Sequence, residues 1–189
     1  MNIFVLGHTP AESARSAVDS HLNKQVLECF QMLAVAYPGQ LHKKDGTPYG
    51  ISHENHPLTK WVKYSPVNAK FCLQYAAAFA NEFTQRTGTS IADSYPFEQA
   101  ASILRDVPPD SRPTTYPLYV PEYIRAKFFP ITYELGDTPR LTPDLSTSVQ
   151  CYRLYYVLEK YRSMQKFQWS GKTPDWYIEM CTKIGRVPF

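Results

Sequence analysis

The chain lacks the features that most directly announce a location or a chemistry. No run approaches the roughly 18 apolar residues of a membrane span. The opening MNIFVLGHTP has neither the basic flank nor the longer apolar stretch of a secretory signal. A non-membrane, intracellular (cytoplasmic) protein is therefore expected. The four cysteines, Cys29, Cys72, Cys151 and Cys181, lie far apart, with no C-x-x-C and no Cys/His pairing at zinc-ligand spacing. Buried free thiols are expected, and no metal or other cofactor. His53-Glu54-Asn55-His56 sets two histidines three apart, but it lacks the H-E-x-x-H spacing and runs into Pro57. A net charge of +3 is too small to announce a nucleic-acid binder by itself.

What the chain does have is size and rings. Its 189 residues, 43% hydrophobic and 20% charged, suit one globular domain with a real core and exclude a disordered tail, collagen or a coiled coil. Fourteen Tyr, ten Phe and three Trp accompany sixteen Pro, twice the eight Gly. Such a composition either packs an aromatic core punctuated by proline or stacks something flat.

Helix signals dominate the pattern. Met1 to Leu6 is an apolar run too short to distinguish a strand from an extended arm. Thr9-Pro10-Ala11-Glu12 is a capping box with proline at the first helical position, and helical spacing continues through Leu22, Val26, Cys29 and Leu33 to Tyr37. Residues 38 to 55 form a surface loop rich in turn chemistry. Ser65-Pro66 starts a second long helix that runs to Gly88. A shorter helix spans about Pro96 to Arg105, and Asp144 to Met164 and the segment after Thr173-Pro174 are also helical. Between Pro108 and Pro121 five of fourteen residues are proline, which forbids a helix or a central strand and predicts an extended belt. The expected fold is all-α or mostly α, a compact single-domain helical bundle spanning residues 1–189 with long loops and this proline-rich segment.

Charge is unevenly spread. Residues 150 to 189 hold seven Lys or Arg against three Asp or Glu, residues 38 to 79 hold five against two, and residues 80 to 149 hold six against nine. The basic stretches interleave with rings, as in Trp61, Lys63, Tyr64 and again in Tyr152, Arg153, Tyr155, Tyr156, Lys160, Tyr161, Arg162. Phosphate neutralisation combined with stacking builds nucleic-acid surfaces in this way. A Tyr-rich core edged by Lys and Arg stems gives the same composition.

One constellation stands out on the first long helix. His21 and Glu28 are seven residues apart, so their side chains leave one face about 10 Å apart along the axis, with Gln25 between them. Either this is a solvated face, with Glu28 paired to Lys24 one turn earlier, or it is a site.

The D-x-H-L pattern of Asp19, His21 and Leu22, followed by Glu28, resembles the first helix of the pyrimidine-dimer DNA glycosylases. Two further segments agree in order. His56, then Trp61 and a helix ending in Glu82 and Gly88, is similar to that family's middle segment, and Pro174-Asp175-Trp176-Tyr177 is similar to its C-terminal P-x-W-Y. The resemblance implies a compact helical protein that kinks double-stranded DNA, expels a nucleotide and attacks its C1′ with an N-terminal α-amine. A helix glutamate then manages the protons and the strand-nicking β-elimination. Glu28 matches that glutamate and His21 stands beside it as the second catalytic candidate. Asp19 and His21 match residues that position the helix, and Trp176 and Tyr177 match the C-terminal aromatic contact.

Gln25, His56 and Trp61 join these as candidate DNA contacts. The sequence departs from the family at Asn2, where a small residue exposed by methionine removal supplies the nucleophile. It departs again at Leu27 and Gln31, where the family carries phosphate-binding arginines. Backbone contact is then expected from Lys60, Lys63, Arg153 and Arg162. Three functions stay open: a glycosylase and abasic-site lyase; a phage-type transferase that adds an amine or amino acid at an activated thymine 5-methylene; and a non-catalytic DNA-binding module on the same scaffold.

Overall fold

In the computed structural model, residues 1–113, 115–116, 118–128 and 144–187 are described. Among them the secondary structure is helical, and the chain has the expected mostly α, compact fold. The capping box behaves as its letters require: Thr9 Oγ1 accepts from the Glu12 N–H, and Glu12 reaches back to the N–H of His8, starting α1 (Pro10–Ser16). The long helix expected from Pro10 to Tyr37 is two helices, because Ala17 and Val18 are extended before α2 (Asp19–Ala36) begins.

That break has a tertiary cause. The guanidinium of Arg86 donates to the carbonyls of Arg15 and Ala17, which would otherwise be orphaned at the end of α1, and to that of Ala14, which also accepts the Ala17 N–H. It also pairs with Asp19 at 2.8 Å and Glu82 at 2.7 Å. Trp169 and Trp176 donate their indole N–H groups to the carbonyl and the hydroxyl of Ser16. No Gly or Pro marks the corner, so local pattern does not reveal it.

Three helices begin on a cap followed by proline. Besides α1, these are α3 (Pro57–Tyr64), capped by His56, and α4 (Pro66–Thr87), capped by Ser65 and closed by Gly88 in the left-handed region. The α3 helix was not expected from the sequence, because histidine is an unusual cap; its Nδ1 accepts from the Leu58 N–H at 3.2 Å. Helices α2 and α4 form the central pair, with α1 and α3 against them and α5 (Phe97–Ile103) on α4. After α6 (Glu122–Arg125), α7 (Leu145–Tyr155) passes through one π-helical turn, Tyr156–Lys160, into α8 (Tyr161–Ser163). The last helix, α9 (Asp175–Lys183), packs on this composite helix.

Residues 2 to 6 are a buried arm, with no β partner among the described residues. Ile3, Phe4, Val5 and Leu6 are all 4% exposed or less, so their backbone groups need partners inside the core. Side chains supply them. The Phe4 N–H reaches Gln25, the Phe4 carbonyl accepts from Tyr75, the Leu6 carbonyl accepts from Arg153, and Ser13 Oγ accepts from the N–H groups of Leu6 and Gly7. Gly7 ends the arm, since a Cβ there would lie 2.4 Å from that of Glu12.

Arg86 is 8% exposed in its side chain and joins α1, α2 and α4. Arg86→Met should cost about 3–5 kcal/mol by leaving Asp19, Glu82 and the Arg15 and Ala17 carbonyls short of a donor. Urea unfolding checks this, and a loss below about 1 kcal/mol would show that the corner closes without it.

Candidate active site at the chain's first residues

The polar stripe on α2 is not solvated. His21 is 4%, Gln25 0% and Glu28 8% exposed, and the buried arm lies along all three. The His21 ring stacks on Phe4, with centroids 4.8 Å apart and planes 7° from parallel, and its Nδ1 is hydrogen-bonded to the Tyr156 hydroxyl. Gln25 holds the Phe4 N–H through Oε1 and donates from Nε2 to Glu28 at 3.0 Å. Glu28 Oε2 also accepts the Asn2 N–H at 2.8 Å. Glu28 Oε1 faces the α-amine of Met1 at 3.7 Å and Lys24 Nζ at 3.9 Å.

Both of the first two residues are anchored by more than Glu28. The Met1 side chain is only 2% exposed, and its sulfur accepts from the Thr59 hydroxyl of α3. The residue as a whole is partly buried rather than buried, so the surface it keeps is main chain. The Asn2 side chain donates to the Tyr119 carbonyl and accepts from Ile3 N–H and the Tyr152 hydroxyl. Tyr152 in turn accepts the Tyr119 N–H, which ties the proline-rich belt across the arm. The Tyr119 ring is half exposed and lies against His56, with centroids 4.5 Å apart.

Electrostatics follow from this packing. Burial, then Lys160 and Lys24, lower the His21 pKa from 6.5 to about 3, so His21 is neutral here. His56 is lowered by burial, then by the α-amine and by His53, with Glu28 opposing. Among the described residues no three His, Cys, Asp or Glu side chains gather as a metal site.

The candidate residues thus fall into separate places. Glu28, Gln25 and His56 lie around the chain's first residues. Asp19 is at the Arg86 corner, at the start of α2 and away from Glu28, where Ser170 also donates to it. Lys60 and Lys63 are exposed on α3, the helix that touches Met1, and Arg162 is exposed on α8.

Four expectations need correction. Trp61 is 8% exposed, and its indole N–H goes to the Thr115 carbonyl, so it secures the belt rather than facing outward. Tyr177 is wholly buried among Val157, Cys181, Phe167 and Trp169. Trp176 packs beneath the Arg153 guanidinium, 5.0 Å from its ring, and caps the α1 corner. Arg153 is spent on that ring and on the arm, which removes it as a free phosphate contact. For the two tryptophans, an acceptor inside the protein for each indole N–H favours burial over exposure. The residues sequence reasoning missed are Asn2 as an anchor, Tyr75, Tyr119 and Tyr152; only the excess of tyrosine hinted at them.

The site belongs to a mostly α protein built around a buried amino-terminal arm. Comparison with models of known families, with curated proteins and with solved structures finds no match.

His21 gives a pH prediction. Its folded pKa is depressed, so the unfolded chain binds the extra proton and stability is lost as pH falls from about 6.5 towards 3. The stability gap between wild type and His21→Phe, read by urea unfolding, should narrow steadily across that window. A gap independent of pH would mean that His21 titrates normally in the fold.

Proposed function

We propose that the protein acts on DNA as a base-excising enzyme, with the α-amine of Met1 as nucleophile and Glu28 as its acid/base. One observation carries this reading: Glu28 spends Oε2 on two fixed donors, Asn2 N–H and Gln25 Nε2, and presents Oε1 to the amine at 3.7 Å. An amine attacking C1′ must lose a proton, and the carboxylate that receives it must be held in place. The departure at Asn2 fits this arrangement. Asn2 is consumed as a structural anchor, and Met1 stands in the nucleophile's position, held by Thr59.

In the proposed course, the amine forms a bond to C1′ as the bond from C1′ to the base nitrogen breaks with its electron pair. Glu28 passes the amine's first proton to the departing base, and moves a second from the new ammonium to O4′ as the C1′–O4′ bond breaks; this opens the sugar, leaves an iminium at C1′ and restores the carboxylate. Glu28 then takes a proton from C2′, and the C3′–O bond breaks to release a phosphate monoester. A nucleotide turned out of the stack is the form of substrate that this site, at a protein surface, requires. The resemblance at Asp19, His21, Leu22 and Glu28 supports the same chemistry, and exposed Lys60 and Lys63 on the helix touching Met1 suit a phosphate backbone nearby.

The test is borohydride trapping on ultraviolet-irradiated or abasic duplex DNA. Wild type, shown by intact mass to keep Met1, should form a covalent adduct, and Glu28→Gln should lose turnover by at least about a hundredfold while binding persists. Intact DNA binding with no adduct would overturn the lyase chemistry and leave a binding module. Retained turnover in Glu28→Gln would remove Glu28 from the mechanism.

A further inference from the structure

We propose that Lys160 and Lys24 form a binding site for a phosphate group beside the Met1 amine, and that the group is the phosphodiester next to the attacked nucleotide. The site rests on the DNA-acting reading above. It joins a residue of α2 to one of the π-helical turn, and the resemblance assigns a role to neither.

Lys160 closes the π-helical turn between α7 and α8. Such turns insert a residue and re-aim side chains, and they recur at functional sites. Here the turn leaves Tyr156 inside against His21 and lays the Lys160 ammonium over two rings, 5.3 Å from the centroid of Phe4 and 5.2 Å from that of Tyr155. The lysine is only partly exposed, yet among the described residues its ammonium has no ion pair and no hydrogen bond. Rings attract the cation but do not neutralise it.

The neighbouring charges deepen the imbalance. Lys24 and the Met1 amine are both within 4 Å of one carboxylate, that of Glu28, so two cations already share that anion and it is not left over for Lys160. Lys160 is pushed below the ordinary lysine range by burial and then by Lys24, with Glu28 opposing, and both lysines act on His21. The Phe4 ring under Lys160 stacks on His21, one turn of α2 before Lys24, and a half-buried cation without an anion is stabilised by a ligand that supplies one. In the proposed reaction the nearest anion is the phosphate on C3′, on the same sugar as the attacked C1′. That phosphate leaves with the electron pair of the C3′–O bond, so cations beside it favour the elimination as well as binding.

The test compares Lys160→Met, which keeps an apolar stem over Phe4 and Tyr155, with Lys160→Arg, which keeps the charge. Duplex affinity is measured across a salt series, and thermal unfolding is followed with inorganic phosphate. If the anion is the DNA phosphodiester, Lys160→Met lowers the slope of log affinity against log salt by about one, Lys160→Arg restores it, and Lys24→Gln gives a similar loss. If the anion is a free phosphate, inorganic phosphate raises the Tm of wild type and not of Lys160→Met, with the DNA slope unchanged; the phosphate site then stands and its DNA assignment falls. An unchanged slope together with no phosphate-dependent Tm shift overturns the site. A lowered slope without any borohydride adduct keeps the site and separates its fate from that of the lyase chemistry.

Discussion

A carboxylate drawn into a helical core persists only where donors surround it, and Glu28 gathers its donors from the first two residues of the chain and from Gln25 and Lys24 of its own helix. The rest of the site depends on this constraint. With the Asn2 N–H fixed on Oε2, the arm must run back along α2, which lays Phe4 over His21 and its amide on Gln25. The Asn2 side chain then reaches the belt at Tyr119 and the α7 helix at Tyr152. One carboxylate therefore registers the chain's start, its first long helix, the belt and a C-terminal helix against one another.

The aromatic excess divides along the same lines. Most rings fill the interior, but several also serve as hydrogen-bonding groups there. Tyr75 and Tyr156 each place a hydroxyl on a group that the arm or α2 would leave unpaired, and Tyr152 adds a second donor to the Asn2 side-chain oxygen that Ile3 N–H also holds. Tryptophans close corners, with Trp61 on the belt and Trp169 and Trp176 on the bend between α1 and α2. This is the pattern expected where an extended segment is buried without a sheet to satisfy it. Tyr119 and Tyr155 differ in keeping exposed surface, beside His56 and Lys160 respectively.

Local chemistry made much of this legible. The pairs Thr9-Pro10 and Ser65-Pro66 mark helix starts that the structure contains, and the spacing of His21, Gln25 and Glu28 marks the face on which the site is built. What sequence reasoning misplaced depends on partners distant along the chain. The bend at Ala17 and Val18 exists because Arg86 and two tryptophans satisfy it, and no residue type at the bend announces them. The α3 helix has the same cap and proline pattern as its neighbours but with His56 as the cap. Asn2 is buried by Tyr119 and Tyr152, and Trp176 is turned inward by Ser16; each of these partners lies more than a hundred residues away, where periodicity cannot register it.

The central claim is that the amine of Met1, in register with Glu28, is the reacting group. Extending the chain by a few residues ahead of Met1 moves that amine while leaving every side chain in place. The account predicts that the extended protein, still folded by circular dichroism and still binding duplex DNA, forms no borohydride-trapped adduct on abasic DNA, whereas the unextended protein does. Equal trapping by both proteins would contradict it.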